Sequence, residues 1–341
     1  MAKNQLFYLI LLIILTLIVG AILLFPSKIS LLSKTYLFNN FSNTGTKNLN
    51  FIKPTEDTVK NFLFLGIAGA GSRGSLLTDS IIIISLNKTE EKIHLISFPR
   101  DLLVKAPNSN NLLKLNSLFE LENKNKKYNE SKSFDLIKTK MEEISGLKID
   151  EVIVLDLEAV KSLVDTLGGI DIYLEKDFFD PNLVNPHNPS QMFYLEAGWQ
   201  HLDGDLFLKM IRSRYAPDGD FSRMKNQQLL LSALKEKLAQ SLDSSSIISW
   251  VQIWQSLADH YFTSFSLTDL TNLLLLAKEV KDYPIEGTII SAYEPNKLLV
   301  SSGYYDGLGK YVYALVPKAG LENYEEIQNF IYSLIDEQKS Q

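Results

Sequence analysis

The stretch Met210–Gln228, MIRSRYAPDGDFSRMKNQQ, holds Arg212 and Arg214 two residues apart, then Asp220, Arg223 and the pair Gln227 and Gln228. Arginine suits phosphate because its planar fork gives paired, charge-assisted hydrogen bonds to the oxygens. A helix over 205–211 that ends near Arg212 would let the two arginines leave it in an extended i, i+2 relation, heads pointing the same way. A helix resuming at Asp220 would set Arg223 and Gln227 at i, i+4 on one face. The same residues would also serve as a solvated charged turn between two helices. Two features favour a cleft: the apolar flank Leu206, Phe207, Leu208 and Ile211, and a second basic element upstream.

That upstream element is Arg100-Asp101, which closes the apolar run Ile93–Phe98. Ligands of α/β sheets gather beyond the carboxyl ends of strands, where an arginine can meet an anion. An internal Arg100–Asp101 salt bridge is the plainer alternative. Lys114 and Asn116 add a cation and an amide on alternate positions, and Asp79 stands ahead of the apolar strand Ile81–Leu86, where it could equally cap a turn. The glycine-rich Gly66–Gly74, GIAGAGSRG, contains Arg73 and could let backbone amides approach an anion. It is followed by a strand and carries no Gly-Lys-Ser/Thr, so it is not a nucleotide fingerprint but a strand-connecting loop near a site. His187 reads as a surface residue, and no nucleophile has a base beside it. Several cations with a few carboxylates suit phosphoryl chemistry, where a protein positions groups and neutralises oxygens, with or without a divalent ion.

The chain around these residues has 341 residues, 45% of them hydrophobic and 22% charged, enough for a substantial core. A net charge of −6 argues against a nucleic-acid partner, so a basic site must be built against the global field. Without cysteine there are no disulfides, thiolate metal sites or cysteine nucleophiles, and four scattered histidines (94, 187, 201, 260) argue against zinc.

Leu6–Phe25 is twenty residues without a charge, long enough to span a hydrocarbon core of ~30 Å. A cleaved signal peptide competes with a retained anchor. The run exceeds a usual signal core and no small-x-small site follows, so an anchor is expected. Lys3 on one side and Lys28 and Lys34 on the other leave the orientation open. The expected layout is a tail at 1–5, a transmembrane helix at 6–25, a polar tether at 26–57, and a folded domain at 58–341 with a core at 60–240 and an extension at 245–341. Strands are expected at Phe62–Ile67, Ile81–Leu86, Ile93–Phe98, Glu151–Asp156 and Ile170–Leu174. Helices are expected at Phe134–Ser145, stopped by Gly146, and at Glu158–Leu167, stopped by Gly168-Gly169. Continuous apolar strands and this β-α-β alternation indicate an α/β fold, an α-β-α sandwich around a central mixed sheet. Phe178–Gln191, with three prolines and three asparagines, reads as a long loop of the kind used for lids. Helices follow at about 220–241, 247–258 and 267–280, the last with Ser266 as a plausible cap. Strands at about 285–292 and Tyr311–Val316 precede a final helix at Tyr324–Ile335.

Five ordered blocks resemble the LytR-CpsA-Psr family of cell-wall glycopolymer ligases: NFLFLGI (61–67), TDSIIIISLN (78–87), SFPRDLLVKAP (97–107) with KLNSLF (114–119), LDLEAVKSLVDTLGGIDIYL (155–174) and LEAGWQHLDGDLFLKMIRSRYAPDGDFSRMKNQQ (195–228). The resemblance covers about residues 60–240. It implies a short cytoplasmic tail, one anchor in the cell membrane and an extracytoplasmic domain with an apolar pocket for lipid. It further implies transfer of a glycopolymer, with one phosphate, from a polyprenyl-pyrophosphate carrier onto a peptidoglycan hydroxyl, polyprenyl phosphate leaving. In that scheme Arg100, Arg212 and Arg214 hold the pyrophosphate and stabilise the leaving charge, with Lys114, Arg223 and Gln227 in support. Asp79 matches a carboxylate that helps hold magnesium, and Asp101, Asn116 and Asp220 are further candidates.

The chain departs from the family pattern at three places. Ala68 stands where many members carry a second metal-sharing acid, Leu77 where many carry an arginine, and Asn226 where an arginine often precedes the glutamine. Losing one of two carboxylates weakens a Mg²⁺ site, although substrate phosphates and water could complete the shell. Arg73 could return the missing cation. Two other functions use the same residues: hydrolysis of the lipid-linked pyrophosphate, with water replacing the acceptor, and a non-catalytic module that binds lipid-linked glycan.

Overall fold

The computed structural model describes residues 58–107, 111–127, 132–244, 260–264, 276, 279–305 and 309–335. The expected anchor, the tether, the helix at 247–258 and most of that at 267–280 lie outside them. Among the described residues no helix is long and apolar enough to cross a membrane.

Six strands form the central sheet: β1 (Val59–Ile67), β2 (Thr78–Asn87), β3 (Lys92–Ser97), β6 (Glu151–Asp156), β11 (Tyr261–Thr263) and β12 (Ile285–Ile289). Their order is β11-β6-β1-β2-β3-β12. The sheet is mixed: β1 runs parallel to β6 and β3 to β12, while β1–β2, β2–β3 and β6–β11 are antiparallel. Both faces are apolar because the strands alternate between two cores. Leu63, Leu65 and Ile67 of β1 and Ile81 and Ile83 of β2 enter one core, while Phe62, Ile82, Leu86 and Leu95 enter the other.

The first face is covered by α2 (Asp135–Ser145), through Ile137, Met141 and Ile144, and by α6 (Glu325–Ile335), through Ile327, Ile331 and Ile335; the short α1 (Leu118–Asn123) adds Leu118 and Phe119. Gly146 ends α2 as expected, in the left-handed region at φ 73°, with its N–H returned to Glu142 O. The long α5 (Asp220–Ser244) lies over the second face, where Leu231 packs beside Leu276 and Val280. Its Gln228 Nε2 lies within hydrogen-bond distance of Leu95 O, Ser97 Oγ and Thr288 O, which share its two hydrogens and fasten the helix to β3 and β12.

A third core joins α3 (Leu157–Thr166), α4 (Gly204–Arg212) and the strands β7 (Ile170–Leu174), β8 (Phe178–Val184), β9 (Met192–Leu195) and β10 (Gly198–Leu202). Asp156 Oδ1 caps α3 at Ala159 N, and Asp203 Oδ1 caps α4 at Leu206 N. Two expectations are corrected here. β7 does not return to the central sheet; it pairs antiparallel with β10, Ile170 opposite Leu202 through Leu174 opposite Gly198. Its pattern of buried Ile170, Ile172 and Leu174 against exposed Asp171 and Tyr173 is that of a one-sided surface strand. Phe178–Gln191 is not a long loop either, because its first half is β8, paired with β9. The proline signal misled there: Pro181 falls in the register shift between Asp180 and Val184, where a ladder tolerates it.

Two hairpins complete the fold, β4 (Leu103–Lys105) with β5 (Leu112–Lys114) and β13 (Leu299–Tyr305) with β14 (Tyr311–Pro317). The strand expected over 285–292 ends at Ile289.

Candidate active site

The basic residues converge because the strand directions bring their ends to one edge. β2 is antiparallel to β1 and β3, so Asp79 at its start lies at the end of the sheet where β1 and β3 finish. Arg100 follows β3 by three residues, and its Nη1 donates to Asp79 Oδ1. The backbone behind Arg100 is tied down: Asn116 N donates to Arg100 O at 3.2 Å, and Thr78 Oγ1 donates to Asn116 O at 3.2 Å. Asn116 therefore acts here through its main chain. Lys114 donates to Asp101 Oδ1 at 2.6 Å, whereas Arg100 Nε stands 3.8 Å from Asp101 Oδ2. The plainer Arg100–Asp101 pairing is thus present only as a long ion pair at 3.8 Å, while Arg100 is hydrogen-bonded to Asp79 and Lys114 to Asp101.

The second half of the cluster comes from α4 and α5. Ser213, at the end of α4, is extended (φ −65°, ψ 135°), which sets Arg212 and Arg214 in the expected i, i+2 relation. Between them Ser213 is buried and donates to the buried Asp180 Oδ2 at 2.6 Å, so both arginines are left exposed. Nothing in the sequence pattern marked Asp180 for this role; a carboxylate beside Pro181 reads only as turn chemistry. Phe179 stacks edge-on against Tyr215 at 5.8 Å, a second tie between the β8–β9 hairpin and the arginine turn.

Asp220 opens α5 and gathers three guanidiniums around one oxygen. Its Oδ1 lies 2.9 Å from Arg223 Nη2, 3.4 Å from Arg214 Nε and 3.7 Å from Arg100 Nε. Arg223 is buried, donates from Nη2 to Asp79 O at 2.9 Å and to Asp220 Oδ2 at 3.1 Å, and so joins the two halves. Gln227 is buried one turn further along the same helix. Three buried polar atoms of the cluster have no hydrogen-bond partner: Arg100 Nε, Arg223 Nε and Asp220 Oδ1.

Burial pushes the Arg223 guanidinium down to about 10; Asp220 opposes this, and Arg214 and Arg100 add to it. Arg100 goes the other way. Burial works against its charge, but the hydrogen bond to Asp79 and the charges of Asp79, Asp220 and Asp101 outweigh it and raise its pKa. Charge is therefore concentrated in a partly dry place and balanced by three carboxylates, Asp79, Asp101 and Asp220. An anion with several oxygens could replace that balance.

Not every candidate joins the cluster. Arg212 is exposed and makes no ion pair among the described residues, although it shares the turn with Arg214. Arg73 is exposed in a loop closed on itself by Gly69 N–Ser75 O and Leu77 N–Gly74 O bonds, and nothing described links it to the cations. The reason for glycine at 69 is a neighbour: at φ 87°, an added Cβ would lie 2.8 Å from Asp156 Cβ. Asp156 Oδ2 in turn lies 2.9 Å from His260 Nδ1, a pair the sequence reading did not anticipate.

A resident divalent ion fits these residues poorly. Asp79 is hydrogen-bonded to Arg100, Ala68 offers no side-chain oxygen, and Asp220 is ringed by guanidiniums that repel a cation. Among the described residues no group of three or more His, Cys, Asp or Glu could hold a metal ion.

Known proteins resemble the chain across this region. Biofilm regulatory protein A of Streptococcus mutans is 29% identical over 217 residues, covering 62% of this chain and 51% of that protein. The polyisoprenyl-teichoic acid–peptidoglycan teichoic acid transferase TagV of Bacillus subtilis is 25% identical over 213 residues, covering 61% and 50%. The chain thus matches about half the length of these two relatives. The crystal structure of B. subtilis TagV superimposes with a TM-score of 0.58 at 21% identity, over 82% of this chain and 98% of that one, which shows a shared fold. The LytR_cpsA_psr family model matches residues 33–316, from ahead of β1 into β14 and so across every residue of the cluster, and the chain belongs to that family.

Proposed function

We propose that this protein is a membrane-anchored phosphotransferase that moves a glycopolymer phosphate from a polyprenyl-pyrophosphate carrier onto peptidoglycan. Relatives in the same family are named as polyisoprenyl-teichoic acid–peptidoglycan transferases, which supports the reaction class. The observation that carries the reading is the convergence of Arg100, Arg214 and Arg223 on Asp220 Oδ1, with the Nε–H groups of Arg100 and Arg223 making no hydrogen bond. Donors preset at a place of developing charge cost no reorganisation during reaction. A pyrophosphate entering there would take over the bonds that Asp79 and Asp220 make, with Lys114 at the rim, Arg212 reaching in from the exposed turn, and Gln227 in support.

In the proposed step the acceptor hydroxyl oxygen attacks the glycan-bearing phosphorus. The bond from that phosphorus to the bridging oxygen breaks, its electron pair leaving with polyprenyl phosphate. The arginines offset the charge that grows on the bridging oxygen. Asp79, 41% exposed and released once Arg100 turns to phosphate, takes the hydroxyl proton. Magnesium remains an expectation tied to Asp79 alone, and no step depends on it. The reading places residues 6–25 in the cell membrane as a single span, with 58–341 on the extracytoplasmic side.

The test is full-length protein in detergent with a lipid-pyrophosphate glycan and a peptidoglycan oligosaccharide, products followed by mass spectrometry. Glycan phosphate joined to the oligosaccharide supports transfer. Free glycan phosphate without adduct would make the protein a hydrolase, and tight binding without turnover a binding module.

A further inference from the structure

The β13–β14 hairpin carries three exposed tyrosines on one face: Tyr305, Tyr311 and Tyr313 are 73%, 61% and 52% exposed. The register explains the grouping. Tyr305 stands opposite Tyr311 and Gly303 opposite Tyr313, so all four share a face with Leu299, Leu315 and Pro317. At the base that face is buried in the first core through Leu299 and Leu315. Towards the tip it leaves the core and continues as tyrosine. Gly303 is part of this surface, because a Cβ there would lie 2.3 Å from Tyr311 Cζ; the Tyr311 ring lies across the glycine and meets Tyr305 edge-on at 5.4 Å.

The hairpin is attached directly to the cation cluster. Leu315 N donates to Asp101 O at 3.0 Å, next to the Leu102–Leu315 bridge. At strand rise, Tyr313 and Tyr311 lie roughly 7 and 13 Å along β14 from that attachment. A second tie runs through Phe221, beside Asp220, which meets Tyr293 edge-on at 5.1 Å just ahead of β13. Neither strand, LVSSGYY nor YVYALVP, contains a charged residue.

We propose that this tyrosine face binds the acceptor, the uncharged sugar backbone of a peptidoglycan strand, and leads it towards Asp101 and Arg100. The inference rests on the transferase reading above. Tyrosine rings offer flat apolar area with a hydroxyl at the rim, which matches a pyranose with its C–H face and peripheral hydroxyls. The strands themselves carry no charge, although the exposed Lys310 and Lys318 flank β14, so binding of a poly(glycerol phosphate) is the contrast that separates donor from acceptor.

The test titrates full-length protein in detergent with a phosphate-free peptidoglycan tetrasaccharide, followed by ligand-observed NMR, and separately with inorganic pyrophosphate. Tyr311→Ala/Tyr313→Ala should weaken tetrasaccharide binding at least tenfold and leave pyrophosphate binding unchanged. Gly303→Val, which displaces the Tyr311 ring without removing it, should weaken tetrasaccharide binding as well. Circular dichroism checks that the variants remain folded. Tetrasaccharide binding equal to wild type in the double variant would overturn the proposal, as would absence of tetrasaccharide binding in wild type. Tyrosine-dependent binding of a short poly(glycerol phosphate), or of phosphatidylglycerol vesicles, in place of the tetrasaccharide would assign the face to donor or bilayer and also overturn it. Loss of pyrophosphate binding at the cluster alone would refute the transferase site and leave the glycan result standing.

Discussion

Asp220→Asn removes one charge and little volume, and it isolates what holds three guanidiniums together in the absence of substrate. Asp220 Oδ1 stands 2.9, 3.4 and 3.7 Å from Arg223, Arg214 and Arg100. Each such pair is worth about 4 kcal/mol in gross attraction at an effective dielectric of 20, most of it offset by desolvation. Removing one partner from a buried pair typically costs about 3–5 kcal/mol. The Asp220 side chain is 22% exposed, which moves the expectation to the lower end of that range, about 3 kcal/mol. A charge at the first turn of α5 also opposes the helix dipole, within the same total. For a folded unit of this size the loss corresponds to a Tm about 6 °C below wild type. Inorganic pyrophosphate at about a hundred times its Kd should return roughly 2.7 kcal/mol to the variant. It should return less to wild type, where the anion has to displace Asp220. Differential scanning calorimetry with and without pyrophosphate measures both quantities. An Asn variant as stable as wild type, or one that pyrophosphate stabilises no more than wild type, would refute the claim that Asp220 occupies the anion's place.

Arg100→Ala and Arg212→Ala should each abolish transfer in the mass-spectrometric assay; Arg212→Ala should also change stability by less than about 0.5 kcal/mol, since it makes no ion pair among the described residues. Near-wild-type turnover in either variant would remove that residue from the site. Asp79→Ala should lower turnover about 10²–10⁴-fold through loss of the proton acceptor, and near-wild-type turnover in that variant would place the base elsewhere. Glu322 is a pH probe away from the site. Burial works to raise its pKa, but hydrogen bonds from Tyr324, the Lys105 N–H and Lys140 outweigh it and hold the carboxyl below its ordinary value. A depressed carboxylate pKa stabilises the fold above the unfolded value, and that contribution is lost as pH falls through the folded one. Glu322→Gln should therefore be less stable than wild type at pH 7 by about 1–2 kcal/mol, and urea titrations should show the gap closing at acid pH. A gap that stays constant down to pH 2 would show that charge is not its cause.

Local pattern settled much of this protein before any contact was known. The apolar runs at 62–67, 81–86 and 93–98 fitted strands buried on both faces by their length and their lack of a polar face for water, and they are such strands. Gly146 marked the end of α2, since glycine takes the left-handed cap without strain. The arginine turn was legible as helix, extended pair and helix because charge, proline and glycine punctuate it. Tertiary structure decided the rest. β7 carries the strand signal of its neighbours, yet it pairs with β10, because pairing partners are chosen by packing between distant segments and not by the strand itself. Pro181 looks like a loop residue until the bulge that houses it is seen. Arg100 keeps a long ion pair with the adjacent Asp101, but its hydrogen bond goes to Asp79, which the sheet brings from 21 residues away, and α5 adds Asp220. Residue types thus announced an anion-binding chemistry. Which carboxylate faces which guanidinium, and which donors remain unpaired, depends on the order and direction of strands, and those follow from long-range burial that no local window contains.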